Sequence, residues 1–275
     1  MDRLKQKAWR LRLDILDIVM AGQCGHIGGD MSVIDLLTVL YDRMRVSPET
    51  VNDPDRDRFV LSKGHCVEAL YAVLCDKGFL NLEEIKRTYS KFGSEFIGHP
   101  HNTLPGIEMC SGSLGHGLSD CVGMALAGKR DGRPYRVYTV MGDGELAEGS
   151  VWEAAMAASQ FGLDNLCAAV DRNRLQISGT TEEVMHQDDV RARFESFGWN
   201  VINVDGSDTR ALMAAYDAAE VCKGKPTLIV SNTVKGRGSP VMENKASWHH
   251  HVPTPAEYEK IRRDIEQRLE AMEHE

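Results

Sequence analysis

Gly142-Asp143-Gly144-Glu145, answered thirty positions after Asp143 by Asn173 in Asp171-Arg172-Asn173-Arg174-Leu175, is the stretch on which the fold turns. Each half closes a run of strand-forming residues: Tyr135-Arg136-Val137-Tyr138-Thr139-Val140-Met141 and Leu166-Cys167-Ala168-Ala169-Val170. Such runs separated by helical pattern predict parallel strands joined by helical crossovers. An acid at one strand end and an amide at the next can then meet at the carboxyl edge of one sheet, where α/β proteins bind ligands. A carboxylate and a neutral amide oxygen are hard donors that suit Mg2+ or Ca2+ and leave positions open for phosphate oxygens. A main-chain carbonyl just after Asn173 could add a third. Alone, Gly-Asp-Gly is also a common tight turn, and Asp and Asn also cap helices. The second hard donor after the next strand is what points to a metal–diphosphate site.

Working outward, strands continue to alternate with helices. Residues 3–21 predict a helix with Leu4, Ala8, Leu11, Ile15 and Ile18 on one face, followed by a glycine-rich turn from 22 to 29. Ser32 is placed to cap a second helix through about Arg45, and Phe59-Val60-Leu61 reads as a short strand. His65 opens a helix to about Asp76, and Asn81, with Glu84 three residues on, caps another. Residues 90–112 read as a long functional loop. Helices are expected at 114–129, 150–161 and 208–222, strands at 201–204 and 227–232, and a final charged helix from Pro255 to Met272. The fold class is α/β, a mainly parallel central sheet with helices on both faces.

The chain has 275 residues, enough for a full core, and a net charge of −9 that argues against nucleic acid or an anionic membrane as partner. Seven scattered cysteines, with no Cys-x-x-Cys pair, suggest a reducing compartment. No apolar run approaches the ~18 residues of a membrane span, and a soluble, cytoplasmic protein is expected.

Histidines recur on glycine-rich corners: His26 in Cys24-Gly25-His26-Ile27-Gly28-Gly29, His65 in Leu61-Ser62-Lys63-Gly64-His65, His99 in Gly98-His99-Pro100, and His249 in Trp248-His249-His250-His251. A loop histidine is usually a surface residue. Four on such corners suggest proton donors and acceptors working near neutral pH, and they lack the regular spacing of a zinc site. Ser111-Gly112-Ser113-Leu114-Gly115-His116-Gly117 precedes a helix and offers main-chain N–H groups to a phosphate or a heteroaromatic ring, or is simply a flexible lead-in. Lys235, in Thr233-Val234-Lys235-Gly236-Arg237-Gly238, follows a strand at the same sheet edge, where it can neutralise a diphosphate or sit solvated in a loop.

Together these segments resemble the transketolase family, specifically its diphosphate-binding half, from about residue 10 to about residue 255. The Gly-Asp-Gly…Asn pair is similar to the signature shared by thiamine-diphosphate enzymes. The Gly-His turn at 25–26, Lys-Gly-His at 63–65, Gly-His-Pro at 98–100, Gly-Ser-Leu-Gly at 112–115 and Lys-Gly-Arg-Gly…Trp-His from 235 to 249 resemble transketolases more narrowly. The resemblance implies a thiamine-diphosphate-binding fold. Asp143, Asn173 and the Leu175 carbonyl would hold Mg2+ (or Ca2+). His65, Gly112, Ser113, Leu114, Gly144, Ile177, Lys235 and His249 would contact the cofactor. Glu148 matches a glutamate linking paired active sites. His26, His65, His99 and His249 would line a sugar channel. The implied reaction moves a two-carbon ketol unit from a ketose to an aldose, with sugar phosphates as the default substrates.

A complete transketolase also carries a pyrimidine-binding domain, which supplies a glutamate to the cofactor, and a C-terminal domain. Residues 1–275 read as the diphosphate-binding domain alone, the N-terminal subunit of a split transketolase active only with a C-terminal partner, in an expected heterotetramer of two copies of each. The alternatives are another thiamine-diphosphate enzyme component, of 2-oxoacid dehydrogenase E1 or deoxyxylulose-phosphate synthase type, or a non-catalytic diphosphate-binding module. Departures from the family pattern are Ile27 for a frequent proline, Gly29 for a hydroxyl residue, His116 for glutamine, and the added His250 and His251.

Overall fold

The computed structural model describes residues 2–187 and 189–274. The chain runs α1 (Arg3–Gly22), α2 (Ile27–Arg43), β1 (Arg58–Leu61), α3 (Val67–Asp76), α4 (Leu82–Thr88), α5 (Gly117–Arg130), β2 (Val137–Gly142), α6 (Gly149–Gln160), β3 (Leu166–Arg172), α7 (Thr181–Val184), α8 (Val190–Ser196), β4 (Asn200–Asp205), α9 (Thr209–Val221), β5 (Thr227–Asn232) and α10 (Pro255–Glu273). The strands form one parallel sheet in the order β1-β2-β3-β5-β4.

Alternation along the strands sends side chains into two cores, as a sheet covered on both faces requires. Phe59, Leu61, Tyr138, Val140, Cys167 and Ala169 join a cluster with α1, α2, α3 and α9. Val60, Val137, Met141, Leu166, Ala168 and Val170 join another with α5, α6 and α8. Leu11, Ile15 and Ile18 of α1 are fully buried. At ~1.5–3 kcal/mol for each such side chain, this stripe fixes α1 despite its charged outer face. Among the described residues no helix is long and apolar enough to cross a membrane.

Three boundaries differ from the sequence expectation. Helix α2 starts at Ile27 with His26 at its N-cap, not at Ser32. The Gly28-Gly29 pair is helical, and a Cβ at Gly29 would lie 2.6 Å from Cys66 Sγ, so close packing explains a residue that local propensity reads as a turn. Ser32 Oγ instead lies 2.6 Å from Asp171 Oδ2 and 2.9 Å from the Gly29 carbonyl. Helix α5 begins at Gly117, not Leu114, because Gly115 has φ +84°, outside the right-handed helix. Between β3 and β4 the sequence predicts no element, yet α7 and α8 are there, capped by Thr180 and Asp189.

Candidate functional site

The strand register places the acid and the amide. Leu61 lies opposite Val140, Gly142 opposite Asp171, and Arg172 opposite Asn232. The residues that follow these ends (Lys63, Asp143, Asn173 and Lys235) therefore leave the sheet at one carboxyl edge. A cavity of about 350 Å3 opens there. Of the residues singled out from the sequence, His26, His65, Gly112, Leu114, Asp143, Gly144, Asn173, Leu175, Ile177, Lys235 and His249 line it.

Asp143 and Asn173 are both buried. Asp143 Oδ1 accepts from the Gly144 N–H at 2.8 Å and Oδ2 from the Arg174 N–H at 2.5 Å. Asn173 Oδ1 accepts from the Leu175 N–H at 3.1 Å. Arg174, between them, sits at φ +68°, a conformation uncommon for a side-chain-bearing residue and found at over-determined sites. Burial, then the nearby Asp171 charge, raises the Asp143 carboxyl, against the pull of the Arg174 N–H and of Arg172.

Behind this edge lies a charge network that the sequence reading did not assign. Lys63 and Asp171 form a fully buried ion pair at 2.5 Å. Burial works against both ions, yet their mutual charge and hydrogen bond hold the lysine pKa above its usual range and the aspartate below its own. Asp171 also accepts from Thr233 Oγ1 and from Asn173 Nδ2 at 3.3 Å. Arg172 bridges Asp143 at 3.4 Å and Glu182 at 2.8 Å, tying α7 to the cavity. Glu145 accepts from Ser62 Oγ, from the Gly115 N–H at 2.8 Å and from the Gly142 N–H at 2.9 Å, which ties β1, β2 and the 112–117 turn together. The available signal was an acid inside or beside an apolar run, which inside a strand or helix marks a buried partnered charge.

The imidazoles come together from four separate loops. The His26 ring centroid lies 5.2 Å from that of His65, 6.2 Å from His99, 5.3 Å from His249 and 4.6 Å from His250. Burial, then the His250 ring, lowers the His26 pKa to about 4; burial, then Lys235, lowers that of His249 to about 3. Burial and Lys63 lower that of His65, and burial that of His99. All four rings are neutral near pH 7, each able to donate from one nitrogen and accept at the other. Lys235 Nζ lies 2.9 Å from His249 Nδ1, so the ammonium donates to that nitrogen and the ring hydrogen resides on Nε2. His251 does not join the cluster: it packs on Trp248 and lies 3.1 Å from Glu257.

Two expected residues stand outside the cavity lining. Ser113 is exposed beside His116, in a shallow depression with Cys110 and Asp120. Glu148 is exposed at the N-cap of α6, its Cβ against Gly115.

The residues suit a bound diphosphate and divalent ion. Lys235 is 2 % exposed, and among the described residues its ammonium makes no ion pair, a buried positive charge that an anion would satisfy. Burial and the charge of Lys63 lower its pKa. Asp143, Asn173 and the Leu175 carbonyl offer three hard oxygens. Ile177, 73 % exposed at the rim, offers apolar surface to a ring.

Comparison with known proteins agrees with this geometry. The family profile described as "Transketolase, thiamine diphosphate binding domain" matches residues 4–267. One of the two subunits of an apulose-4-phosphate transketolase, from Phocaeicola vulgatus, is 48 % identical over 275 residues, covering 100 % of this chain and 98 % of that one. A 6-deoxy-6-sulfo-D-fructose transketolase subunit SqwG of Clostridium sp. (strain MSTE9) is 42 % identical over 228 residues, 82 % of each chain. The solved transketolase from Leishmania mexicana superposes with a TM-score of 0.90 at 30 % identity, over 97 % of this chain but only 42 % of that longer one.

Proposed function

The chain belongs to the transketolase family, and from that membership we propose that it is the diphosphate-binding subunit of a two-chain transketolase. It moves a two-carbon ketol unit from a ketose phosphate to an aldose phosphate with thiamine diphosphate and Mg2+ (or Ca2+). A second polypeptide supplies the pyrimidine-binding half, in an assembly with two copies of each. One observation carries the reading: Asp143, Asn173 and Leu175 share a single cavity with His26, His65, His249 and Lys235. Relatives matched over most of their length that are themselves named as subunits support the division into two chains. Seven free cysteines fit a reducing cytoplasm.

Asp143, Asn173 and the Leu175 carbonyl would hold the ion. Lys235 would meet the diphosphate charge, with the main chain of Gly112, Ser113 and Gly144 beside it. Leu114 and Ile177 would pack the ring system. Glu148, outside the cavity, would serve the contact between paired sites. When bound, thiamine diphosphate supplies an electron sink for the carbon that loses its sugar partner. The chain's own part is positioning and proton transfer. His26, His65, His99 and His249, all neutral, bind sugar hydroxyls and hold or pass their protons, His249 donating from Nε2.

The test is reconstitution. The chain alone is expected to show no ketol transfer, and the complex with its partner to transfer from a ketose phosphate and not from pyruvate. Asp143→Asn in that complex should weaken Mg2+-dependent thiamine diphosphate binding by roughly 30-fold or more, the loss expected from removing one of two interacting charges. Transfer by the chain alone would refute the two-chain reading. Unchanged cofactor affinity in the variant would refute the metal role.

A further inference from the structure

Directly beneath the His26 turn lie two acids that the site described above does not use. Asp30, in the first turn of α2, and Glu68, in the first turn of α3, are both 0 % exposed. Their carboxyl groups lie within hydrogen-bonding reach of each other, and neither makes an ion pair among the described residues. Two carboxylates cannot both ionise at such a contact in a buried setting, because desolvation and mutual repulsion add.

The donors around them are unequal. Glu68 Oε1 accepts from the Tyr89 hydroxyl, and the carboxyl also receives the main-chain N–H of His26. Asp30 Oδ1 accepts only from the Ala69 N–H, at 3.0 Å. That leaves Asp30 Oδ2 and Glu68 Oε2, both buried and both lacking a donor. One proton between them satisfies both oxygens.

We propose that Asp30 and Glu68 share a single proton and that this pair is the positioning device for the His26 imidazole. The proton sits on Asp30, the acid with fewer donors, and is donated to the Glu68 carboxylate. Glu68 in turn holds the His26 N–H, and its Oε1 occupies the space where a Cβ on Gly25 (φ +146°) would lie 2.5 Å away. His26 thereby keeps its place among the other rings. Burial and the like charge of Glu68 hold the Asp30 carboxyl well above the usual range, and burial raises Glu68 as well. The other titratable groups facing the pair are Lys63, already committed to Asp171, and Cys66 and Tyr89; Tyr71 faces Glu68, and Cys24 lies beyond Tyr89.

The inference rests on the reading of His26 as a sugar-facing residue, and its test reads the imidazole separately from activity. In the reconstituted complex, Asp30→Asn replaces the shared proton by an amide N–H that cannot be lost, whereas Glu68→Leu removes the acceptor. With 15N-histidine labelling, and His26→Asn to assign the signal, Asp30→Asn should leave the His26 resonances in place and Glu68→Leu should move them. Glu68→Leu should raise the KM for the ketose about tenfold, as a displaced binding group does, with thiamine diphosphate affinity unchanged. At alkaline pH the wild-type KM should rise as the shared proton is lost, and that of Asp30→Asn should not. Unmoved His26 signals in Glu68→Leu, or equal damage from both variants, would overturn the pair. If Glu68→Leu does not fold, the pH comparison of wild type with Asp30→Asn decides alone. Should the complex transfer no ketol unit, the proposed function falls, while the imidazole signals still decide the pair.

Discussion

The phosphate-facing and imidazole-facing ends of the cavity are built on opposite plans. At the first, Asp143, Asn173, Lys63 and Lys235 follow the carboxyl ends of four adjacent strands, and nearly every charge has a partner: Lys63 with Asp171, Asp143 with Arg172, Glu145 with three donors. At the second, His26, His65, His99 and His249 arrive from four loops, uncharged, and His26 Nδ1 is buried with no partner at all. A group that must hold a fixed charge is best set on a rigid sheet and preorganised by counter-charges. A group that must exchange protons with changing sugar hydroxyls needs nitrogens left open. The same cavity therefore combines a saturated ionic floor with an unsaturated neutral wall.

The sharpest way to break this contrast is to remove one ion from the floor. Lys63→Met leaves Asp171 buried with hydroxyl and amide donors but no counter-charge. Losing one partner of a buried pair costs about 3–5 kcal/mol, so a loss of that size is expected in chemical denaturation of the chain. A loss within the ~0.5 kcal/mol of ordinary surface substitutions would show that the floor is not held by charge.

A smaller effect should separate the wall from the floor by pH. His26 and His249 have folded-state pKa values of about 4 and about 3 against an ordinary 6.5. Between those limits the unfolded chain binds more protons than the folded one, so stability is full above pH ~6.5 and falls as pH drops toward 4. The Lys63–Asp171 pair adds nothing in that window, since its members are shifted away from it. His249→Gln, whose amide oxygen can still accept from Lys235, should flatten the decline in a series of urea melts. Equal slopes in the two proteins would mean that the wall does not carry neutral, desolvated rings.

The two ends also differ in how far the sequence foretells them. The sheet was legible because β2 and β3 are continuous apolar runs, and their ends fix where Asp143 and Asn173 leave it. The histidines were legible one by one from their glycine-rich corners. The partners were not. Lys63 and Asp171 are 108 residues apart, and Asp30 and Glu68 come from different helices; pairing across that distance leaves no periodic mark. The hint was an acid in an apolar setting, as in Val67-Glu68-Ala69-Leu70 and Val170-Asp171. Helices α7 and α8, with four and seven residues, are too short for a 3.6-residue period to register. The start of α2 was hidden because Gly28-Gly29 reads locally as a turn, and only the contact with Cys66 explains it.

The smallest expected effect concerns His250, which extends the family's Trp-His pair and lies edge-on to His26 at 4.6 Å. It is exposed where the other rings are half-buried or buried, and it does not line the cavity itself. An exposed edge-to-face pair is worth about 1 kcal/mol, so His250→Gly should change the ketose KM by no more than roughly fivefold. It should also raise the His26 pKa, because the ring adds to the burial that lowers it. His251→Gly should leave KM alone and cost stability instead, since that ring is spent on Trp248 and Glu257. Titration of the His26 15N signal in the two variants separates them: movement in His251→Gly but not in His250→Gly would place the boundary of the wall one residue further along the loop.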